Sequence, residues 1–232
     1  MSAPALRSRV IRMGAELLVI VVGVLVALAV DEWSGSLDER ELEREYLQAL
    51  AMDLEEDSTA YARALVPNLE EALTALRTVV PVARGADAMP SDTVGFLTLM
   101  WESTFSVSQF EERRTTFEEL LATGNLSLIQ SPELRASIVS YYEQARLSTT
   151  RSERGRSTYA QLLRGYLPLP GELDDPATRR RVFADLAQLV RSEEFLREAN
   201  RHRVWLNFQL SQISRLQELL SALQTQLAQA QP

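Results

Sequence analysis

Residues Val10–Trp33 read VIRMGAELLVIVVGVLVALAVDEW. Leu17–Val30 carries no polar side chain. Extending the run back to Val10 gives the roughly 20 residues that a helix needs to cross a hydrocarbon core, and it takes in Arg12 and Glu16. Arg12 can snorkel toward headgroups on its aliphatic stem, and Glu16, one turn on, can pair with it. Trp33 closes the stretch with an amphipathic ring suited to the membrane interface. The pattern predicts a transmembrane helix over residues 10–33. Arg7, Arg9 and Arg12 precede it and Asp31 and Glu32 follow it. The charge bias therefore places residues 1–9 in the cytoplasm and residues 34–232 outside it, in the periplasm of a bacterium with two membranes. The alternative is a cleaved signal peptide, for which Ala27-Leu28-Ala29 offers a small-residue site. The long basic n-region and Glu16 at the start of the apolar stretch argue for retention.

With 46% hydrophobic residues in 232, the chain holds enough apolar material for an anchor and one cored domain. It carries 32 acidic residues against 24 basic ones, all of them Arg, for a formal net charge of −8. That balance lacks the basic footprint of nucleic-acid binding. With 0 Cys, disulfides, thiolate metal sites and cysteine nucleophiles are excluded. The single histidine, His202, leaves little for His-based metal chemistry.

Beyond Trp33 the periodicity is helical throughout. Ser34-Gly35 offers a break and Ser36 to Glu39 has capping-box form, although one glycine is a weak breaker and the first helix can run straight on. Leu47, Leu50, Leu54, Tyr61 and Leu65 form an apolar stripe, opposite an acidic face that includes Glu41, Glu43, Glu45, Glu55, Glu56 and Asp57. Pro67 should kink or end this helix. A second stripe follows at Leu69, Leu73, Leu76 and Val80. Gly85–Pro90 reads as a loop, and Ser91 or Asp92 as the cap of a helix through Phe96, Leu97, Met100 and Trp101. Arg113–Thr123 should be helical and stop at Gly124, in the position where glycine takes the left-handed conformation.

Ser131-Pro132-Glu133 starts another helix: Ser caps, Pro suits the first turn and Glu complements the dipole. Leu134, Ile138, Tyr141, Tyr142 and Ala145 form its buried face. A Pro-containing loop over Leu167–Asp175 leads to a helix from Asp175-Pro176, and Ser192 caps the last one. There Ile213, Leu216, Leu220, Leu223 and Leu227 alternate three and four apart, a heptad-like stripe of coiled-coil type. No run alternates as a strand would. The expected fold is all-α, an N-terminal transmembrane helix followed by a helical bundle with long first and last helices. Acid concentrated over Asp31–Glu71 and arginine over Arg146–Arg203 suggest that the early helix packs near the late ones.

Two stretches together resemble a family of bacterial single-pass membrane proteins known as a domain of unknown function. The first is Glu16-Leu17-Leu18, Gly23 to Leu28 and Asp31-Glu32-Trp33. The second is Thr116 to Leu120, Thr123 to Leu126, Ile129, Pro132 to Arg135 and Tyr141-Tyr142. The resemblance covers the anchor well and the middle of the chain moderately, and stops after Tyr159. It implies a retained anchor and a Gly-centred turn between two helices, and no activity.

Several residues invite a functional reading, each against a plainer one. Glu16 at the apolar boundary could serve a proton relay or a partner contact, or simply pair with Arg12. Gly23-x-x-x-Ala27 would let two anchors approach closely, or reflect ordinary usage of small residues in membrane helices. Glu198 and His202 lie on one face, but a di-iron bundle needs paired Glu-x-x-His motifs, so a surface or core-edge histidine is expected. Glu111, Glu112, Glu118 and Glu119 could suggest paired acid–base carboxylates, and read more simply as a solvated face. Arg179-Arg180-Arg181 could meet lipid headgroups or acidic neighbours. Trp101, Tyr141, Tyr142 and Trp205 read as core. No nucleophile elbow, phosphate-binding loop or dinucleotide fingerprint is present.

The expectation is therefore a non-enzymatic interaction module of the bacterial inner membrane, held in the bilayer. It would associate with itself or another envelope protein, without cofactor, metal or nucleic acid. The residues concerned are Arg12, Glu16, Gly23, Ala27 and Trp33. The alternative is a periplasmic ligand sensor that signals through a partner.

Overall fold

The computed structural model describes the backbone of residues 3–105, 112–155, 158–167 and 170–230; side chains are described there except at 3–20, 27, 29, 105, 154, 155, 170 and 173. The described elements are helical throughout, as the periodicity requires. The helix α1 spans Ala3–Ala60, 58 residues, a length of about 87 Å. It passes through Ser34-Gly35 without a break. Ser36 does not cap; its hydroxyl donates back to the Trp33 carbonyl at 2.8 Å. One glycine costs a helix about 1 kcal/mol, too little to stop a run this long.

Pro67 does not end the run of helix. A wide π-type turn over Tyr61–Leu65 leads directly into α2, Val66–Ala83, where Pro67 sits in the first turn. Proline lacks an N–H and its ring crowds the carbonyl four residues earlier. The loosened turn lies where that carbonyl falls, a common way for a helix to absorb such a misfit.

The loop from Arg84 leads to α3 (Thr93–Phe105), which Asp92 caps by accepting the Gly95 N–H at 3.1 Å. Helix α4 (Thr115–Thr123) stops at Gly124 with φ 75°, as expected, and a 3-10 turn over Asn125–Leu128 follows. Ser131 caps α5 (Pro132–Gly155) by accepting the Leu134 N–H at 3.1 Å. Short α6 (Tyr159–Arg164) and a 3-10 turn over Pro170–Asp174 precede α7 (Pro176–Val190), capped by Asp175. Ser192 caps α8 (Glu193–Ala230).

The α1–α2 rod, α8 and α5 form the frame, with α3 against α2 and α4 against α1. Helix α8 runs antiparallel to the rod. Near its start Asn200 accepts from Arg84 at 3.5 Å, and near its end Gln224 donates to the Leu54 carbonyl at 3.4 Å. Ser152 of α5 accepts from Trp205 through its carbonyl at 3.1 Å and from Gln209 through its hydroxyl. The heptad-like stripe from Ile213 to Leu227 is buried inside this bundle; its apolar face is used within the chain.

The early helix does pack near a late one, α1 against α8, but among the described ion pairs none joins the acid of α1 to the arginines of α5 or α8. Among the described ion pairs, the one that leaves its own helix from the acidic half of α1 joins Glu56 to Arg113 at 2.9 Å. The carboxylates of α1 meet backbone N–H groups instead. Glu43 accepts from Gln130 at 2.7 Å, Asp53 from Thr116 at 3.3 Å and Asp57 from Arg113 at 2.9 Å.

The core begins at Tyr46. Below it α1 touches the bundle through Glu43, which accepts from the Gln130 N–H, and further down its described side chains are mostly exposed. Val21, Val22, Val24, Leu25, Val26, Leu28 and Val30 are 48–60% exposed and Trp33 is 65% exposed. No helix, among the described residues, is long and apolar enough to cross a membrane; much of the span expected at 10–33 falls on side chains outside that description.

Candidate functional site

Along α1 and into the π-type turn the buried line Leu50, Leu54, Asp57, Tyr61 advances by four, three and four residues. A carboxylate therefore occupies a core position, fully buried, where an acidic surface face was expected. Burying an ionised carboxyl is costly unless donors surround it, and two do. The Arg113 N–H donates to one oxygen at 2.9 Å, and the Tyr141 hydroxyl donates to the other at 2.7 Å. The Tyr61 phenol lies beside Tyr141. Desolvation outweighs these bonds and pushes the Asp57 carboxyl up to about 6, with Glu112 and Asp53 adding like charge. Burial likewise raises the phenols of Tyr61, Tyr141 and Tyr142.

Asp53, one turn earlier, accepts from the Thr116 N–H. Helix α4 has no cap of its own, since Arg114 occupies the N-cap position without a side-chain bond. Two carboxylates of α1 thus satisfy N–H groups at and just before the start of α4, where helical donors otherwise lack partners and the dipole favours negative charge. Phe117 of α4 stacks on Tyr142 with centroids 4.3 Å apart, and Arg114 donates to the Tyr142 carbonyl at 3.3 Å. The Tyr142 hydroxyl is buried without a hydrogen-bond partner among the described residues.

A cleft of about 330 Å³ opens beside Asp57, lined also by Glu56, Ala60, Glu112, Arg113, Arg114 and Thr115. Its charges are already matched within the protein. Glu56 pairs with Arg113, Arg114 with Glu118 at 3.2 Å, and Glu112 accepts from Thr149 at 3.3 Å. What the cleft offers is a carboxyl whose proton affinity burial raises, held by the Tyr141 hydroxyl and the Arg113 N–H.

A second buried polar group lies toward the far end of the bundle. His202 is buried, not at a core edge. Its Nε2 donates to the Ser103 carbonyl at 3.0 Å, and its ring stacks on Tyr159 at 4.9 Å and on Trp205 at 5.4 Å. Desolvation lowers its pKa to about 4, so the imidazole is neutral at physiological pH. Glu198, one turn earlier and also buried, accepts from Thr158 at 2.6 Å and pairs with Arg201 at 2.9 Å. The Thr158 bond comes first among the causes that hold its carboxyl below the usual range. Among the described residues, no group of three or more His, Asp or Glu side chains could hold a metal ion.

Of the residues singled out in the sequence, Arg12, Glu16, Ala27 and Glu111 have side chains outside the described part. Gly23 lies on the free part of α1, where an added Cβ would meet nothing within 4 Å, and Trp33 is exposed. Glu118 and Glu119 are exposed, the latter accepting from Tyr46 at 3.2 Å. Tyr141 and Tyr142 are core; Trp101 and Trp205 pack against it, partly buried. Sequence reasoning put Asp57 on an acidic outer face, where the structure buries it, and did not single out Asp53. The signal for Asp57 was its place in the four-three-four spacing; for Asp53 there was none, because its partner is a backbone group distant in sequence.

Fold and sites together define an all-α bundle on a projecting N-terminal helix, with buried polar groups around Asp57 and around His202. No family model, curated protein or solved structure matches the chain.

Proposed function

We propose that this chain is a bilayer-anchored helical-bundle protein of the bacterial inner membrane, and that it acts by association with itself or with another envelope protein, not by catalysis. The observation that carries this reading is the free run of α1. Valine and leucine side chains from Val21 to Val30 lie open around the helix, a distribution that suits lipid and is rarely left to water. The upstream sequence from Val10 extends that run to membrane length, and the resemblance on Glu16, Gly23 and Trp33 supports a retained anchor. From Trp33 to Tyr46 the helix rises about 20 Å, so the bundle would stand off the bilayer on an acidic stalk.

Topology tests this directly. A dual periplasmic/cytoplasmic reporter fused after Pro232 should read periplasmic on a full-length, membrane-bound chain. A cytoplasmic reading overturns the orientation, and a shortened soluble chain means cleavage after Ala29 and overturns the anchor.

A further inference from the structure

The far end of the rod gathers arginines. Arg84 closes α2 and Arg191 closes α7, positions where the helix dipole favours a cation. Both line a cleft of about 330 Å³, with Val82, Ala83, Ala88 and Met89. That volume is at the lower end of those that hold small ligands. On α8, Asn200 brings in a further arginine. Its Oδ1 accepts from Arg84 and from Arg203, each at 3.5 Å, so one neutral oxygen holds two guanidinium groups by long bonds. Among the described ion pairs none includes Arg84, Arg191 or Arg203. The carboxylate among the residues lining the cleft is Asp87. Nearby on α8, Glu193 and Glu194 are exposed and outside that lining, and Glu198 is held by Arg201 and Thr158.

We propose that Arg84, Arg191 and Arg203 bind a small ligand through an oxyanion group, a phosphate or a carboxylate. The planar guanidinium fork matches both groups and pairs with them through two parallel hydrogen bonds. Like charges meet here without a carboxylate to pair with, and the ligand's anion supplies the counter-charge. Recognition falls to side chains, because the loop after α2 spends its own donors. The N–H groups of Arg84, Gly85, Ala86 and Asp87 turn back onto the carbonyls of Val80, Val82 and Pro81. Val82 and Met89 give the body of the ligand an apolar wall. Asp87 opposes the anion and offsets part of the positive charge, which suits a ligand of low total charge. The site lies at the end of the rod remote from Val21 to Val30 and does not depend on the anchored reading.

The test is direct binding of inorganic phosphate to the full-length chain, read by broadening of the phosphorus NMR signal at an ionic strength held constant with chloride. Broadening should saturate. Arg84→Gln, Arg191→Gln and Arg203→Gln should each weaken binding about fivefold or more, as expected for loss of a charge-assisted bond. All three arginines are exposed, so the variants leave the core intact. Arg215→Gln, at an exposed arginine further along α8, should leave binding unchanged, and Asp87→Asn should tighten it. Succinate is then added as a competitor. Displacement of phosphate extends the site to carboxylates and no displacement restricts it to phosphate; either supports the oxyanion site. Broadening that never saturates, or that falls equally in the Arg215→Gln variant, is general charge attraction and overturns it. Binding that weakens in Asp87→Asn makes the ligand's charge positive and overturns it too. So does the absence of binding by both phosphate and succinate, the latter read on its proton signal.

Discussion

At the scale of single residues two of the buried titratable groups, Asp57 and His202, pull stability in opposite directions. Asp57 has a folded pKa of about 6 against an ordinary 3.8. The folded state therefore holds its proton more tightly than the unfolded state, and the stability this contributes is present below about pH 4 and lost as pH rises through 6. His202 has a folded pKa of about 4 against 6.5. Its contribution is present above pH 6.5 and lost as pH falls toward 4. Across the shared window the two slopes largely cancel. Asp57→Asn keeps an acceptor for the Arg113 N–H and removes the titration, so urea unfolding of this variant should show stability rising from pH 4 to 6.5. His202→Gln keeps a donor for the Ser103 carbonyl, and its stability should fall from pH 4 to 6. A flat profile in either variant would show that the group is not perturbed by burial.

At the scale of elements, α4 is the one whose ends depend most on single groups. Its start is satisfied by Asp53 of α1 and its stop is Gly124 in the left-handed conformation. Asp53→Ala removes an N-terminal acceptor and should cost about 1 kcal/mol, the usual worth of a helix cap. Gly124→Ala meets no steric neighbour, so its cost is the backbone preference alone, about 1–2 kcal/mol. Chemical denaturation reads both, and a neutral result at Gly124 would mean that the turn relaxes to another geometry. The stop was legible in the sequence because glycine itself carries the signal. The start was not, because the sequence around Arg114 contains no cap and the acceptor arrives from a helix more than sixty residues earlier. The π-type turn before Pro67 was half legible: the misfit follows from proline, while the choice between breaking and bulging belongs to the packing on both sides, where Tyr61, Leu65 and Leu69 are all buried.

At the scale of the whole molecule, the heptad-like end of α8 reads differently once placed. As a free stripe it would serve association. Buried against the rest of the bundle, it serves the fold. Truncation after Gln212 removes Ile213, Leu216, Leu220, Leu223 and Leu227 from the core. Losing even one large buried side chain costs about 2–5 kcal/mol, and whole domains hold only about 5–15. The truncated chain should therefore lose cooperative unfolding by circular dichroism, whatever its oligomeric state. A truncated chain that still unfolds cooperatively near the wild-type midpoint would mean that the stripe is not core.

The sequence by itself determined what local physics can carry. The apolar periods at three and four residues, the Asp92, Ser131, Asp175 and Ser192 caps and the Gly124 stop are written in neighbouring residues, and the all-α class follows from them. Tertiary structure alone decided which partners distant groups would meet. Acidic residues on α1 were equally able to face water, arginine or buried N–H groups. Composition could not choose, because all three satisfy a carboxylate; only the approach of α4 and α5 to α1 did. The same holds for the heptad-like stripe of α8: spacing marks it as a helix-contacting face, but only the antiparallel register of α8 against the α1–α2 rod buries it within the chain.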